Sequence, residues 1–322
     1  MENEGYKEHK KNSSLLTVHA SLSIGIDLGS NTLRVVKRDC ESGEFVAEYE
    51  KIVRTADGLQ QSGRISDAAV ERIVQALKEA KERIGFQGSA LRAVTTEAMR
   101  RATNRDAVLK RIEEETGVAF EIIDGEEEAA LTLSAVGRRL ESLSEASDSF
   151  VLVDIGGGST ELIFRYPDET ITRSFPLGIV TLSQEAGSWE RVGELLPRKL
   201  PPLRDFVEAV YGKHGRVRSF VATAGTPTTV AALKLGMDYR SYDAKRVNGT
   251  RLQRNELEIY LHRLLAMDKA EREKAVGVGR DDLIAAGILI FEALFDLLGF
   301  EECIVIDDGL REGVAISLCS EE

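Results

Sequence analysis

The 322-residue chain lacks most of what would suit it to a membrane, an oxidised exterior or a zinc site. No apolar run approaches the roughly 20 residues that a membrane-spanning helix needs. The opening segment, MENEGYKEHKKNSSLLTVHAS, is polar and of mixed charge without a long apolar core, which makes it a poor secretory signal. Cysteine is scarce: Cys40, Cys303 and Cys319 are scattered and odd in number, which suits a reducing cytoplasm better than a disulfide framework. His9, His19, His214 and His262 show no zinc-ligand spacing and no Cys-x-x-Cys pair exists, which argues against zinc chemistry. An excess of positive charge is missing too. The formal net charge of −12 argues against broad binding to nucleic acid or a membrane surface, so a polyanionic ligand would need a local basic patch.

What is present is organised around Val151 to Phe164, VLVDIGGGSTELIF. β-Formers from Phe150 to Ile155 break at Gly156, Gly157 and Gly158 and resume from Thr160 to Phe164, which predicts a strand, a tight turn and a returning strand. Without Cβ atoms in the turn, successive backbone N–H groups can converge on an anion beside the hydroxyls of Ser159 and Thr160. Asp154 and Glu161 flank the turn from its two strands. Carboxylates beside a phosphate-binding turn point to a hard divalent cation that bridges the like charges. A glycine-rich hairpin with solvated acids is the plainer reading of this stretch alone.

A second copy favours the phosphate reading. Ser23 to Asp39, SIGIDLGSNTLRVVKRD, is again a strand ending in an acid, Asp27, then a short glycine turn and a returning strand. Two related halves, each opening on such a loop, predict two α/β lobes with the loops facing across a cleft. Residues 1–21 read as a mobile tail and 22–136 as the first lobe, with the C-terminal helix 310–322 a candidate to complete it. Residues 137–309 read as the second lobe. Along the first half, Ser66 caps an amphipathic helix, Ala90 to Val94 is a strand, Asn104 caps a helix over Arg105 to Glu115, and Phe120 to Asp124 is a strand. Along the second, Ser219 to Thr223 is a strand, Asp268 to Gly279 a charged connection, Asp281 to Phe300 a largely buried helix and Cys303 to Ile306 the last strand.

Three further stretches carry candidate chemistry. Arg100, Arg101 and Arg105 lie in the densest basic segment of an acidic chain, and a guanidinium fork matches phosphate oxygens; Arg100 is the favoured ligand contact. Glu126, Glu127 and Glu128 open a helix whose dipole accounts for acids there and would keep them ionised, as a general base requires. The Gly225-Thr226-Pro227-Thr228-Thr229 turn opens another helix that can offer N–H groups and hydroxyls to an anion, or serve only as a cap.

From Ser23 onward the chain resembles the exopolyphosphatase and guanosine pentaphosphate phosphohydrolase (Ppx/GppA) family. The matching stretches are GIDLGSNTLRVV, TTEAMRRATN, IIDGEEEAALTLSAV, LVDIGGGSTELIF, AGTPTTVAAL, RDDLIAAGILIFEAL and DDGLREGVA. The resemblance implies two ribonuclease-H-like lobes of the actin-like and sugar-kinase-like ATPase fold around a cleft. It implies hydrolysis of a terminal phosphoanhydride, with Glu128 activating water and Asp154 and Glu161 holding Mg²⁺ (or Mn²⁺). Gly29, Ser30 and Asn31 would cradle phosphates from one side and Gly156, Gly157, Gly158 and Ser159 from the other, with Arg100 on the phosphate chain. Asp27, Thr160, Gly225 and Thr226 are further candidates, and a homodimer is implied. Where the family often carries a basic residue two places after the catalytic Glu, this chain has Ala130. It also ends at Glu322, without the C-terminal helical region of longer members, which predicts shorter chains as substrate or weaker processivity. Inorganic polyphosphate is the expected substrate. The alternatives are a guanosine pentaphosphate 5′-phosphohydrolase, an ATPase or kinase of the wider fold, and a catalytically weak sensor that binds guanosine tetra- or pentaphosphate.

Overall fold

A computed structural model describes residues 21–319; apart from Ser21, the tail expected over residues 1–21 lies outside them, as do the last three residues of 310–322. The first sheet contains β1 (Leu22–Leu28), β2 (Thr32–Asp39), β3 (Phe45–Ile52), β4 (Ala90–Thr95) and β5 (Phe120–Ile122), in the order β3-β2-β1-β4-β5. The second contains β6 (Phe150–Ile155), β7 (Thr160–Arg165), β8 (Thr170–Phe175), β9 (Ser219–Thr223), β10 (Thr250–Gln253) and β11 (Glu302–Val305), in the order β10-β11-β9-β6-β7-β8. In each sheet the opening three strands form an antiparallel meander, and the first of them pairs in parallel with the strand that follows a helical crossover. The duplication predicted from the two glycine turns, and the ribonuclease-H-like topology implied by the resemblance, are therefore what the sheets show. β10 is an antiparallel addition at the edge of the second sheet.

The central strands are buried on both faces, which is why β6 reads as a continuous apolar run. One face of the second sheet packs on the helix Ile284–Leu298, whose Phe291 and Phe295 close on Phe220 of β9. Its other face is covered by the helix Gly125–Ser142 through Ala129, Val136 and Leu140. The C-terminal helix Leu310–Ser317 instead covers the first sheet, with Val314 beside Val94 and Ile123. It lies so close to β1 that a Cβ on Gly25 would stand 2.1 Å from the carbonyl oxygen of Arg311. The last helix thus carries the chain end back to the strands where the first sheet began.

That return overturns the expectation from cysteine scatter. Cys40, at the end of β2, and Cys319, just past the C-terminal helix, are joined by a disulfide with their Cα atoms 5.4 Å apart; only Cys303 is free, and it is buried. A separation of 279 residues hid the pair in the sequence. Two local expectations also change. Asn104 does not cap its helix, Arg105–Thr116, with its side chain; its amide exchanges two hydrogen bonds with the backbone of Ile65, at 3.0 and 2.9 Å, because a nearby loop offers both a donor and an acceptor. The charged connection after Asp268 contains a helix, Lys269–Val276, started by a capping box in which Asp268 accepts from the N–H of Glu271.

None of the described helices is long and apolar enough to cross a membrane. Because the disulfide closes almost the whole chain into one loop, Cys40→Ser or reduction should lower stability by about 2–4 kcal/mol. Thermal melting of the oxidised protein, the reduced protein and the variant tests this; equal melting temperatures would show that packing of the C-terminal helix alone holds the chain end.

Candidate active site

The hairpin turns that open the two sheets have the same internal closure. The Gly29 N–H donates to the Thr32 carbonyl at 3.0 Å, and the Gly156 N–H donates to the Ser159 carbonyl at 2.9 Å. The next N–H groups, on Ser30 and Asn31 and on Gly157 and Gly158, find no backbone acceptor among the described residues. Amides left without a backbone partner at the lining of a cleft can receive an acceptor from outside the chain. The turns face each other at contact distance: a Cβ on Gly157 would lie 2.8 Å from Ser30 Cβ, and one on Gly158 would lie 3.0 Å from Ser30 Oγ. The second turn is fixed from behind by the segment starting at Gly178, where a Cβ would meet the Gly157 and Gly158 backbone at 2.3–2.4 Å. In the same place, the Ile179 and Val180 N–H groups donate to Gly156 and Gly157.

Around these turns lies a cleft lined by Asp27, Gly29, Ser30, Asn31, Glu97, Glu128, Asp154, the glycines 156–158, Ser159, Gly225 and Thr226, among others. Cross-strand register decides which side chains meet. Asp154 on β6 pairs with Glu161 on β7, and in the equivalent positions of the first sheet Asp27 pairs with Arg34. Glu128 enters from the first turn of the Gly125–Ser142 helix, started by Asp124, whose side chain accepts from the Glu126 and Glu127 N–H groups. Glu128 is 9% exposed. Its Oε2 accepts from Arg100 Nη1 at 3.1 Å, and the same Nη1 donates to the Ile123 carbonyl at 2.7 Å.

Several candidates sit differently from expectation. Arg100 does not line the cleft; it is held behind Glu128 and by Glu97, whose Oε2 lies 3.3 Å from its Nη2. Glu161 is 2% exposed and accepts from Ser174 Oγ at 2.7 Å, so it backs Asp154 instead of forming the wall. The Thr160 hydroxyl is consumed by the Leu177 carbonyl. At the third turn, Thr228 and Thr229 donate back to the Ala224 and Gly225 carbonyls at 2.9 and 2.6 Å, which leaves Gly225 and Thr226 facing the cleft. Ala224 is held there at φ +69°, a conformation that costs a residue with a Cβ about 1–3 kcal/mol. Three charged cleft-lining residues were not singled out from the sequence, Arg34, Glu97 and Arg280. Arg34 had a readable signal, since it follows Asp27 by the same interval at which Glu161 follows Asp154; Arg280, in an irregular loop, had none.

The carboxylates share one low-dielectric space. Burial, with the Asp154 charge adding and Arg34 opposing, pushes Asp27 up to about 7. Burial raises Asp154 to about 6 against Arg34, and burial with the Asp154 charge raises Glu161 to about 7 against Ser174 and Ser159. Glu128 is raised well above the usual carboxylate range by burial first and then by Glu161. The expectation that the helix dipole alone would keep Glu128 ionised is thus corrected: burial among other acids outweighs it. The donor set is all oxygen and mutually repelling, which a hard divalent cation would relieve. Among the described residues no three Asp, Glu, His or Cys side chains form a ready ligand cage.

A duplicated α/β fold with two amide-lined turns and buried acids in one cleft defines a phosphate-handling enzyme of the two-lobed class. The Ppx/GppA phosphatase family profile matches residues 35–322, and the chain belongs to that family, a family of phosphoanhydride hydrolases. It is 30% identical to exopolyphosphatase 2 of Mycobacterium tuberculosis, over 91% of this chain and 97% of that protein. It is 28% identical to the guanosine-5′-triphosphate,3′-diphosphate pyrophosphatase of Aeromonas hydrophila, over 93% of this chain and 60% of that one. The crystallographically studied Ppx-GppA enzyme of Aquifex aeolicus superposes with a TM-score of 0.70 at 31% identity, covering 92% of this chain and 99% of the other.

Carboxylates whose folded pKa is raised contribute stability below their unfolded pKa, near 4, and that contribution is lost as pH rises through the folded values of about 6 to 7. Chelator-treated protein should therefore melt several degrees lower at pH 7.5 than at pH 5, and excess Mg²⁺ should recover much of the difference at pH 7.5. A melting temperature flat across this range without metal would show that burial and the neighbouring acids do not raise these carboxyls as the geometry requires.

Proposed function

We propose that the chain removes the terminal phosphate of inorganic polyphosphate, with Glu128 as the general base. The observation that carries this is the pair of turns with unpartnered amides set face to face beside Glu128 and Asp154. Gly29, Ser30 and Asn31 would hold phosphate oxygens from one lobe and the glycines 156–158 with Ser159 from the other, with Gly225 and Thr226 at the third turn. Charge spread over the equatorial oxygens of the transferring phosphoryl group is what convergent N–H groups stabilise, because they need no reorganisation during the reaction.

A bound Mg²⁺ or Mn²⁺ would neutralise phosphate charge and return the neighbouring carboxylates to their ionised forms. Asp154 would hold it, with Glu161 oriented behind by Ser174, and Asp27 is a further candidate. Glu128, ionised under those conditions, accepts the proton of a water approaching in line with the scissile bond. Arg100 acts on this reading through Glu128: its donation to Oε2 fixes one carboxylate oxygen and leaves the other toward the cleft. The working unit is the pair of lobes, 22–136 and 137–309, with the helix Gly125–Ser142 crossing that boundary onto the second sheet and the last helix completing the first; pairing as a homodimer rests on the resemblance, and the cytoplasmic location read from scattered cysteines loses that support to the Cys40–Cys319 disulfide. A guanosine pentaphosphate 5′-phosphohydrolase uses the same terminal-phosphate chemistry, and the Aeromonas relative is named for such a substrate.

Phosphate release with Mg²⁺ should be robust on polyphosphate and should fall about 100-fold or more in Glu128→Gln, the size expected for a general base. The same variant should melt higher than wild type in chelator, because a buried carboxyl crowded by Glu161 and Asp154 gives way to a neutral amide that can still accept from Arg100. Faster release from guanosine pentaphosphate would move the assignment to the alternative. Binding of guanosine tetraphosphate with no release from any substrate would make the cleft a sensor.

A further inference from the structure

The cleft is poorly supplied with positive charge for a site that takes a polyanion. Its described lining contains four carboxylates, Asp27, Glu97, Glu128 and Asp154, and two cations, Arg34 and Arg280. Both cations are already engaged by one residue. Glu50, on β3, accepts from Arg34 Nε through Oε2 at 3.0 Å and from Arg280 Nη2 through Oε1. Arg34 belongs to the first sheet, whereas Arg280 lies in the loop between Lys269–Val276 and Ile284–Leu298 that packs with the second, so the single carboxylate spans the two lobes. Glu50 does not line the cleft; it draws on the two guanidiniums from behind. Burial opposes its charge, but Arg280, Arg34 and Arg311 outweigh that and keep it fully ionised.

We infer that Glu50 is a specificity-determining residue: an internal anion that competes with ligand phosphate for Arg34 and Arg280 and joins the lobes while the cleft is empty. The inference rests on the polyanion reading of the site. A guanidinium has five N–H donors in a planar fork, and Glu50 accepts from one nitrogen of each, Nε of Arg34 and Nη2 of Arg280. A phosphate approaching from the cleft must therefore share each arginine with a carboxylate held at salt-bridge distance. Only ligands that present enough charge, or reach both arginines together, gain fully from them. Singly charged or short anions are discriminated against, although the acidic lining would already repel them. A further ion pair between the same loop and the first lobe, Arg54 with Asp282 at 3.3 Å, is exposed and weak by comparison.

The test uses the full chain in a Glu128→Gln background with Mg²⁺, so that ligand is not consumed, and inorganic tripolyphosphate as the probe in titration calorimetry. Adding Glu50→Gln should tighten tripolyphosphate binding by roughly tenfold, steepen its salt dependence and narrow the preference for tripolyphosphate over orthophosphate. Small-angle scattering of the ligand-free variant should show a larger radius of gyration, restored by tripolyphosphate. If Glu50→Gln does not fold, Glu50→Asp, too short to reach both guanidiniums, should show the same effects in smaller measure. Equal or weaker binding in a folded Glu50 variant would overturn the inference, since Glu50 would then merely hold the arginines in place for the ligand. Absence of tripolyphosphate binding in the Glu128→Gln parent would instead overturn the polyanion reading itself.

Discussion

The structure depends on a close approach of two backbone turns. Ser30 and Gly157 come from different sheets, yet there is no room for a Cβ at Gly157, nor at Gly178 behind it. Such contact cannot be sustained by the turns themselves, which have few atoms to bury. It follows from the strands that end in them and from the two helices that tie the sheets together. Gly125–Ser142 arrives from the first half of the chain and lies on the second sheet, while Leu310–Ser317 arrives from the second half and lies on the first. At the closest point between these helices, a Cβ on Gly313 would stand 2.0 Å from the Leu131 carbonyl oxygen. The same crossing delivers Glu128 at the start of one helix and Gly309 at the start of the other to the cleft.

Much of this was legible because it repeats. Strand, acid, glycine turn and strand occur twice, and the two sheets carry the same strand order, so the sequence predicted both the fold and the place of its cleft. What stayed hidden is non-local. Cys40 and Cys319 meet only because the last helix returns to the first sheet, and Arg280 reaches the cleft from a loop with no periodic signal. Asn104 looked like a helix cap because Asn favours that position, but a nearby backbone offered its amide two complementary partners. Arg100 was expected on the phosphate chain for its fork of donors; that fork is spent on Glu128, Glu97 and a carbonyl. Residue type announced the chemistry in each case, and packing decided which partner received it.

The repeat also gives the cleft two unlike sides. Asp27 faces Arg34 across its strand pair where Asp154 faces Glu161. One lobe thus sets a cation beside its acid and the other a second acid. An anionic chain with a bridging metal ion needs both: the acid pair favours the cation and the mixed pair favours phosphate. The cleft lining holds four carboxylates against two arginines, so any further carboxylate near the arginines matters. Glu50 stands at that point, ionised and bonded to both, and therefore governs how much of the cleft's positive charge a ligand can use. In a chain with a net charge of −12, affinity for polyanions cannot come from the overall field. It has to be assembled locally, from turn amides, a divalent ion and two arginines whose availability the protein itself limits.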